Sequence, residues 1–313
     1  MRHYTSYDST ELAYRVLEAK GGDGSAPGAP GGGPAAPGAR ARGAGGSRET
    51  VVCLAGGPGR DAAYLGDLGG LDAHHTLVVP DSRGTGSSPP SPDPGGYAFP
   101  ALAEDLEALR RHLGLERFAL LAHDAACATA QAYAASHADR LSRLILVTPG
   151  SRLQGELPDD AEQIFESRAT EDWWTDAYVA VHTLPTATDM DQVRDLLRRA
   201  APMAYGHWDA PQRAHAATEA DQLGPVPRAG FWQGVDEPSR LALLHGLRDV
   251  RCPVLVITGD RDAVTGMRAG ELVAQSFPEA VLRPLHEVGH YPWVDEPDLF
   301  RPLVEEFLAS DAG

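Results

Sequence analysis

The chain has 313 residues, with 44 acidic against 27 basic side chains and a formal charge of −17 with neutral histidines. That length admits one large α/β domain with an insertion or two small domains, and the negative charge disfavours nucleic acid and anionic membrane as partners. No apolar run approaches a membrane span, and the start, Met1-Arg2-His3-Tyr4-Thr5, has no signal-peptide core. The three cysteines, Cys53, Cys127 and Cys252, stand far apart in apolar or alanine-rich surroundings, which reads as buried free thiols in a cytoplasmic protein. The twelve histidines nowhere show metal-ligand spacing, so neither a metal nor a cofactor is expected.

Residues 4–18 predict a first strand or hairpin arm. Residues 20–48, almost wholly Gly, Ala, Pro and Arg, have too few apolar side chains to offset the entropy of ordering them and read as a disordered loop. Two short strands follow. Val51-Val52-Cys53-Leu54 leads to Gly56-Gly57-Pro58-Gly59, and Thr76-Leu77-Val78-Val79-Pro80 leads to Asp81-Ser82-Arg83-Gly84-Thr85-Gly86-Ser87. Over 101–113, Leu102, Leu106, Leu109 and Leu113 recur every three or four residues, the period of a helix. Phe118-Ala119-Leu120-Leu121 predicts a strand, the alanine-rich 125–135 a helix, and 144–149 another strand. Between about 155 and 248 the segments are helical and carry Trp173, Trp174, Trp208 and Trp232. Strands resume at Val254-Leu255-Val256-Ile257 and 280–285, around a helix near 269–276, and 297–309 makes a closing helix. This alternation implies an α/β fold with a mainly parallel sheet covered on both faces. Its first part spans 1–150, a helical insertion 151–248, and its second part 249–313.

Between the strand at 118–121 and the next helix stands Ala122-His123-Asp124-Ala125-Ala126. Strand, tight turn and helix, with small residues two before and two after the centre, is the context of a nucleophile elbow, where the pattern G-x-S-x-G places a serine. Here an aspartate holds that place. Three further features end strands, where an open α/β sheet builds its site. Gly56-Gly57-Pro58-Gly59 can turn backbone N–H groups towards a developing oxyanion, or be an ordinary tight turn. Gly259-Asp260-Arg261-Asp262 offers two carboxylates, either of which could simply be solvated. Gly289-His290-Tyr291-Pro292-Trp293 supplies a histidine that completes the chain order nucleophile, acid, histidine.

Taken jointly, these motifs resemble those of the α/β-hydrolase fold, and within it are most similar to the proline iminopeptidase-like branch. Its H-G-G-P-G, D-x-R-G-x-G-x-S and G-H-x-P-W…P patterns are matched at Gly56 to Gly59, from Asp81, and from Gly289 to Pro297. The resemblance runs from about residue 50 to the end. It implies an α/β-hydrolase fold with the insertion as a helical lid, Asp262 as the acid and His290 as the histidine of a triad. It also implies that the N–H groups of Gly57 and Ala125 form the oxyanion hole. Departures fall at functional positions: Ala55 stands for histidine, Asp124 for serine, and Cys127 for a glycine. In the helix after the turn, Cys127 reads as a small buried core residue.

A serine needs a base before it can attack a carbonyl, whereas an aspartate side chain is ordinarily ionised at neutral pH. Attack by a carboxylate on an amide would form an anhydride and expel an amine, which runs uphill. Ordinary peptidase activity is therefore not expected. A carboxylate can instead attack an activated sp³ carbon and form an alkyl ester, which His290, oriented by Asp262, would hydrolyse by activating water. That is the division of labour in epoxide hydrolases, whose G-H-D-W-G pattern resembles His123-Asp124. Ala125 replaces the tryptophan whose N–H binds halide in the dehalogenases of the same fold, which disfavours dehalogenation. Tyr178 and Tyr205 are the candidates in the insertion for protonating the leaving oxygen, and Trp173 and Trp174 for an aromatic wall against a small or medium apolar substrate; packed or surface positions are the plain alternative for each. Glu166, Glu171 and Glu219 are lid carboxylates of the sort that hold a substrate amine in the iminopeptidases, with solvated helix faces as the default. Two other readings stay open. Asp124 beside His290 would favour the imidazolium and could move protons without a covalent intermediate, as an isomerase, cyclase or lyase does. The scaffold could also serve as a non-catalytic binding protein.

Overall fold

The computed structural model describes residues 1–20 and 50–310. The loop expected over 20–48 lies, but for Lys20, outside them. Eight strands form one sheet: β1 (Arg2–Thr5), β2 (Glu11–Leu17), β3 (Thr50–Leu54), β4 (Thr76–Pro80), β5 (Phe118–His123), β6 (Leu141–Val147), β7 (Val254–Gly259) and β8 (Val281–Leu285). Their spatial order is β1-β2-β4-β3-β5-β6-β7-β8. The segment 4–18 thus becomes a hairpin: β1 and β2 pair antiparallel, as do β2 and β4, and every other pair is parallel.

The central strands read as unbroken apolar runs because both of their faces are covered. In β3, Val52 and Leu54 enter one core while Val51 and Cys53 enter the other; in β5, Leu120 and Ala122 oppose Ala119 and Leu121 in the same way. The first core is closed by the helices Phe99–His112 and Ala126–Ser136, the second by the helix Pro297–Ala309 through Phe300, Val304 and Leu308. Each large apolar side chain fully buried there contributes about 1.5–3 kcal/mol of transfer free energy. Helix Phe99–His112 begins with a proline in its first turn, where no N–H is missed, and ends with Arg110, Arg111 and His112 at the negative end of its dipole. The three cysteines are buried and free.

Arg83 fastens the loop after β4 to the β1–β2 turn. Its side chain is fully buried and makes a two-pronged contact with Asp105, Nε to Oδ2 at 2.7 Å and Nη2 to Oδ1 at 2.6 Å. A second fork reaches Asp8, at 2.6 and 3.0 Å. Planar guanidinium suits this geometry and ammonium does not.

The chain leaves β3 for β4 on one side and returns in β5 on the other. The carboxyl ends of β3 and β5 are therefore neighbours at a topological switch point, the place where an open α/β sheet has room for a ligand. Between β6 and β7 the described residues contain helices, from Asp160–Ser167 to Glu237–Gly246, and no named strand. These helices form the lid insertion over that crevice.

Candidate active site

The elbow is short. β5 ends at His123 and its helix begins at Ala126, and Asp124 turns the chain with φ at +52°, a left-handed conformation that a residue with a Cβ adopts at a cost. Its N–H is held by the Val147 carbonyl, and its own carbonyl accepts the Cys127 N–H, each at 3.0 Å. The turn after β3 presses against it. A Cβ on Gly56 would lie 2.4 Å from the His123 carbonyl oxygen and 2.8 Å from the Asp124 Cβ, so only glycine permits the approach. That approach lets the Gly57 N–H donate to Asp124 Oδ2 at 2.8 Å. Ala125 caps the following helix beside the same turn.

His290 stands on the other side of the carboxylate, with Nδ1 2.9 Å from Asp262 Oδ2 and Nε2 3.8 Å from Asp124 Oδ1. Asp262 is fully buried. It accepts the N–H groups of Val264 and Thr265 at 2.8 and 3.1 Å and the Thr265 hydroxyl at 2.6 Å. Burial opposes its ionisation, but His290 and these donors outweigh burial and hold the carboxyl below its usual range. For His290, burial pulls the ring down; the neighbouring charges of Asp262, then Asp124 and Glu219, win and raise it to about 9. The ring is thus an imidazolium at neutral pH.

A chain of hydrogen bonds ties the three loops together. The Gly56 N–H donates to Tyr64 Oη at 2.8 Å, and the Tyr64 hydroxyl donates to His123 Nδ1 at 2.7 Å. His123 Nε2–H then donates to the His290 carbonyl at 2.9 Å, an oxygen that the Thr148 hydroxyl also reaches at 3.0 Å. This network assigns the His123 tautomer. Burial, with His290 nearby, drives His123 well below its usual value, so it stays neutral.

A cavity of about 280 Å³ opens over Asp124. Val181, Leu184, Leu197 and Met203 of the insertion form its apolar wall, and Arg60, Tyr64, Glu219 and Tyr291 lie with His290 on its polar side. Arg60 is 2% exposed; its Nε donates to Gln222 at 2.9 Å and its Nη1 to Tyr291 Oη at 3.0 Å. Nη1 also lies 3.8 Å from Glu219, and the guanidinium sits 4.2 Å above the Tyr64 ring. Arg60 and Tyr291 are site residues that sequence reasoning passed over. The signal was present: Arg60 directly follows the glycine-rich turn, and Tyr291 lies inside the histidine motif, next to His290.

Asp124, His290, Asp262 and Gly57 are brought together. Tyr178, Tyr205, Trp173 and Trp174 are not, and none of them lines the cavity. Trp173 and Trp174 pack with Phe165 in a satellite core. Tyr178 is 39% exposed and stacks on Phe165 and Trp174, because helix Trp174–Thr183 turns its i, i+4 aromatic face away from Asp124. Tyr205 is fully buried with its hydroxyl 2.7 Å from His215 Nδ1. Of the acidic trio, Glu166 is exposed, Glu171 pairs with Arg168 at 2.7 Å, and Glu219 faces the cavity. Among the described residues no group of His, Cys, Asp and Glu could hold a metal ion, and no helix is long and apolar enough to cross a membrane.

The chain matches the family model described as alpha/beta hydrolase fold over residues 49–297. It is 27% identical over 274 residues to RutD of Caulobacter sp. strain K31, a proposed carbamate hydrolase, covering 85% of this chain and 92% of that protein. A shorter similarity, 36% over 106 residues, joins it to a fluoroacetate dehalogenase of a Burkholderia species, across 33% of this chain and 35% of the other. Among solved structures, the esterase RhEst1 from Rhodococcus sp. ECU1013 superposes with a TM-score of 0.71 at 21% identity, over 100% of this chain and 99% of its own. That likeness is one of fold. With the family model spanning β3, the elbow and the histidine loop, the chain belongs to the α/β-hydrolase fold family.

Proposed function

We propose that the protein hydrolyses a small or medium apolar substrate at an activated sp³ carbon, an epoxide above all, with Asp124 as nucleophile. The observation that carries this is the division of the Asp124 carboxylate: Oδ2 accepts the Gly57 N–H while Oδ1 faces His290. If Oδ1 attacks carbon, Oδ2 becomes the carbonyl oxygen of the resulting ester, already seated on a donor that stabilises the oxyanion when water attacks. The ester has no charge at position 124, so His290 loses one of the carboxylates that hold it at about 9. It then yields its proton more readily and can serve as base for the water. The apolar wall of the cavity suits a hydrocarbon body. The relative that acts on fluoroacetate, whose halogen sits on an sp³ carbon, supports displacement chemistry. The glycine-rich, Asp81–Ser87 and histidine motifs support an ancestry in the proline iminopeptidase-like branch, and the three buried free thiols fit a reducing, cytoplasmic setting.

The test is a single turnover of styrene oxide in oxygen-18 water. Label in Asp124 with an unlabelled new hydroxyl in the diol is the expected result, because the product takes its oxygen from the carboxylate. Turnover that never labels the protein would overturn the covalent route. It would favour a second reading supported by the His290 imidazolium at about 9 beside Asp124, a donor–acceptor pair able to isomerise, cyclise or eliminate without an ester.

A further inference from the structure

We propose that Tyr291 is the acid that protonates the leaving oxygen when Asp124 attacks, an assignment that rests on the nucleophilic reading above. Displacement at carbon is in line, so the oxygen departs on the far side of the carbon from Oδ1. Its proton must come from the cavity wall and not from the elbow. The lining side chains that carry protons can be taken in turn. Tyr64 commits its proton to His123 Nδ1, and His123 commits its own to the His290 carbonyl. His290 sits on the side of the attacking oxygen. Arg60 and Arg228 line the cavity too, but guanidinium holds its protons too tightly to act as an acid. Glu219, 3.8 Å from Arg60 Nη1, acts on its neighbours as a negative charge and not as a proton donor. Tyr291 remains. Its Oη accepts a hydrogen bond from Arg60 Nη1 at 3.0 Å, and no described protein group accepts the phenol's own proton.

The setting suits the role. Tyr291 is 5% exposed and fixed among the rings of His123, Tyr205 and His215, at centroid distances of 5.2, 5.0 and 4.7 Å. Burial, then Glu219, hold the phenol well above its usual value, against the pull of Arg60, so it enters the reaction protonated. In the step itself the Oδ1–carbon bond forms as the ring carbon–oxygen bond breaks. The freed electron pair on oxygen takes the Oη proton. A hydroxyalkyl ester of Asp124 results, together with a Tyr291 phenolate facing the Arg60 guanidinium. The imidazolium of His290, now without the Asp124 charge beside it, returns a proton to the phenolate through solvent. It is thereby left as the neutral base that ester hydrolysis requires.

The experiment uses His290→Gln as background, in which the ester accumulates, and follows intact mass and peptide maps with two reagents. Styrene oxide needs its leaving oxygen protonated; benzyl bromide releases bromide with no proton. Adding Tyr291→Phe is expected to slow alkylation of residue 124 by styrene oxide at least ~100-fold, and by benzyl bromide no more than about threefold. The bromide reaction also reports that the variant's site is folded. Equal slowing with both reagents, or slowing with neither, overturns the acid role. So does labelling of the His290→Gln protein by bromide alone. If neither reagent labels residue 124 in that background, the nucleophilic reading itself falls.

Discussion

The backbone N–H of Gly57 donates to Oδ2 of Asp124 at 2.8 Å, so the donor that would await an oxyanion at a serine site already holds a carboxylate oxygen. On the proposed nucleophilic route the side chain would bring its own oxyanion-to-be into the hole. Binding in the resting state and stabilisation during ester hydrolysis would then fall to one hydrogen bond.

Freeing that donor should change the reaction. Asp124→Ser removes the carboxylate while Asp262 and His290 keep their contact. It is expected to hydrolyse p-nitrophenyl acetate with transient acetylation at position 124, seen as a burst and a mass gain. A folded variant with neither would show that the Gly57 turn cannot serve a serine.

Stability should fall on the alkaline side. The folded value of His290, about 9, lies above the ordinary histidine value of about 6.5. Its contribution is complete below pH ~6.5 and is lost as pH rises through about 9, amounting to roughly 3 kcal/mol. Urea unfolding between pH 6 and 10 should show this decline, and Asp124→Asn should flatten it by removing one of the raising charges. A profile unchanged by that substitution would remove Asp124 from the account.

His123→Phe should separate the two chemical steps. It deletes the donor to the His290 carbonyl and the acceptor for Tyr64, a cost of about 1–3 kcal/mol, while Thr148 still holds the same carbonyl. If Asp124 is the nucleophile as proposed, ester formation depends little on that contact, whereas ester hydrolysis depends on where His290 stands. The variant should therefore accumulate alkylated protein at steady state. Loss of both steps in proportion would argue for general collapse of the site.

Arg83→Leu tests the loop anchor. It strands Asp105, buried and left with Ser6 as its partner, and should cost about 3–5 kcal/mol in urea unfolding. Arg83→Lys should recover only part, since an ammonium cannot make both forks.

Much of this was legible in the sequence, for a physical reason. Strands β3 and β5 to β7 are buried on both faces, so their apolar runs and the glycine turns that end them stand out. The Asp124 and Asp262 motifs lie at the ends of β5 and β7 and the His290 motif in the loop after the more exposed edge strand β8, and their meeting follows from the strand order. The lid was different. Helix Trp174–Thr183 has two usable faces, one bearing Trp174 and Tyr178 and one bearing Val181, and Leu184 just beyond. Periodicity separates the faces, but only tertiary packing decides which one meets the cavity. The large aromatics drew the expectation, and small aliphatic residues line the wall. Arg60 escaped for a related reason: alone in a loop it reads as a surface charge, and its burial depends on Gln222 and Tyr291, 162 and 231 residues away.

The +52° φ of Asp124 also bears on how such a residue can come to replace a serine. In the genetic code, serine AGC and aspartate GAC are two base changes apart, and the two single-change intermediates are GGC, glycine, and AAC, asparagine. Those are the residues that adopt left-handed backbone most readily. The turn that makes the position demanding for most side chains thus accepts both intermediates of this two-step route between the two chemistries, unlike the alanine or tyrosine of the equally short route from serine TCC.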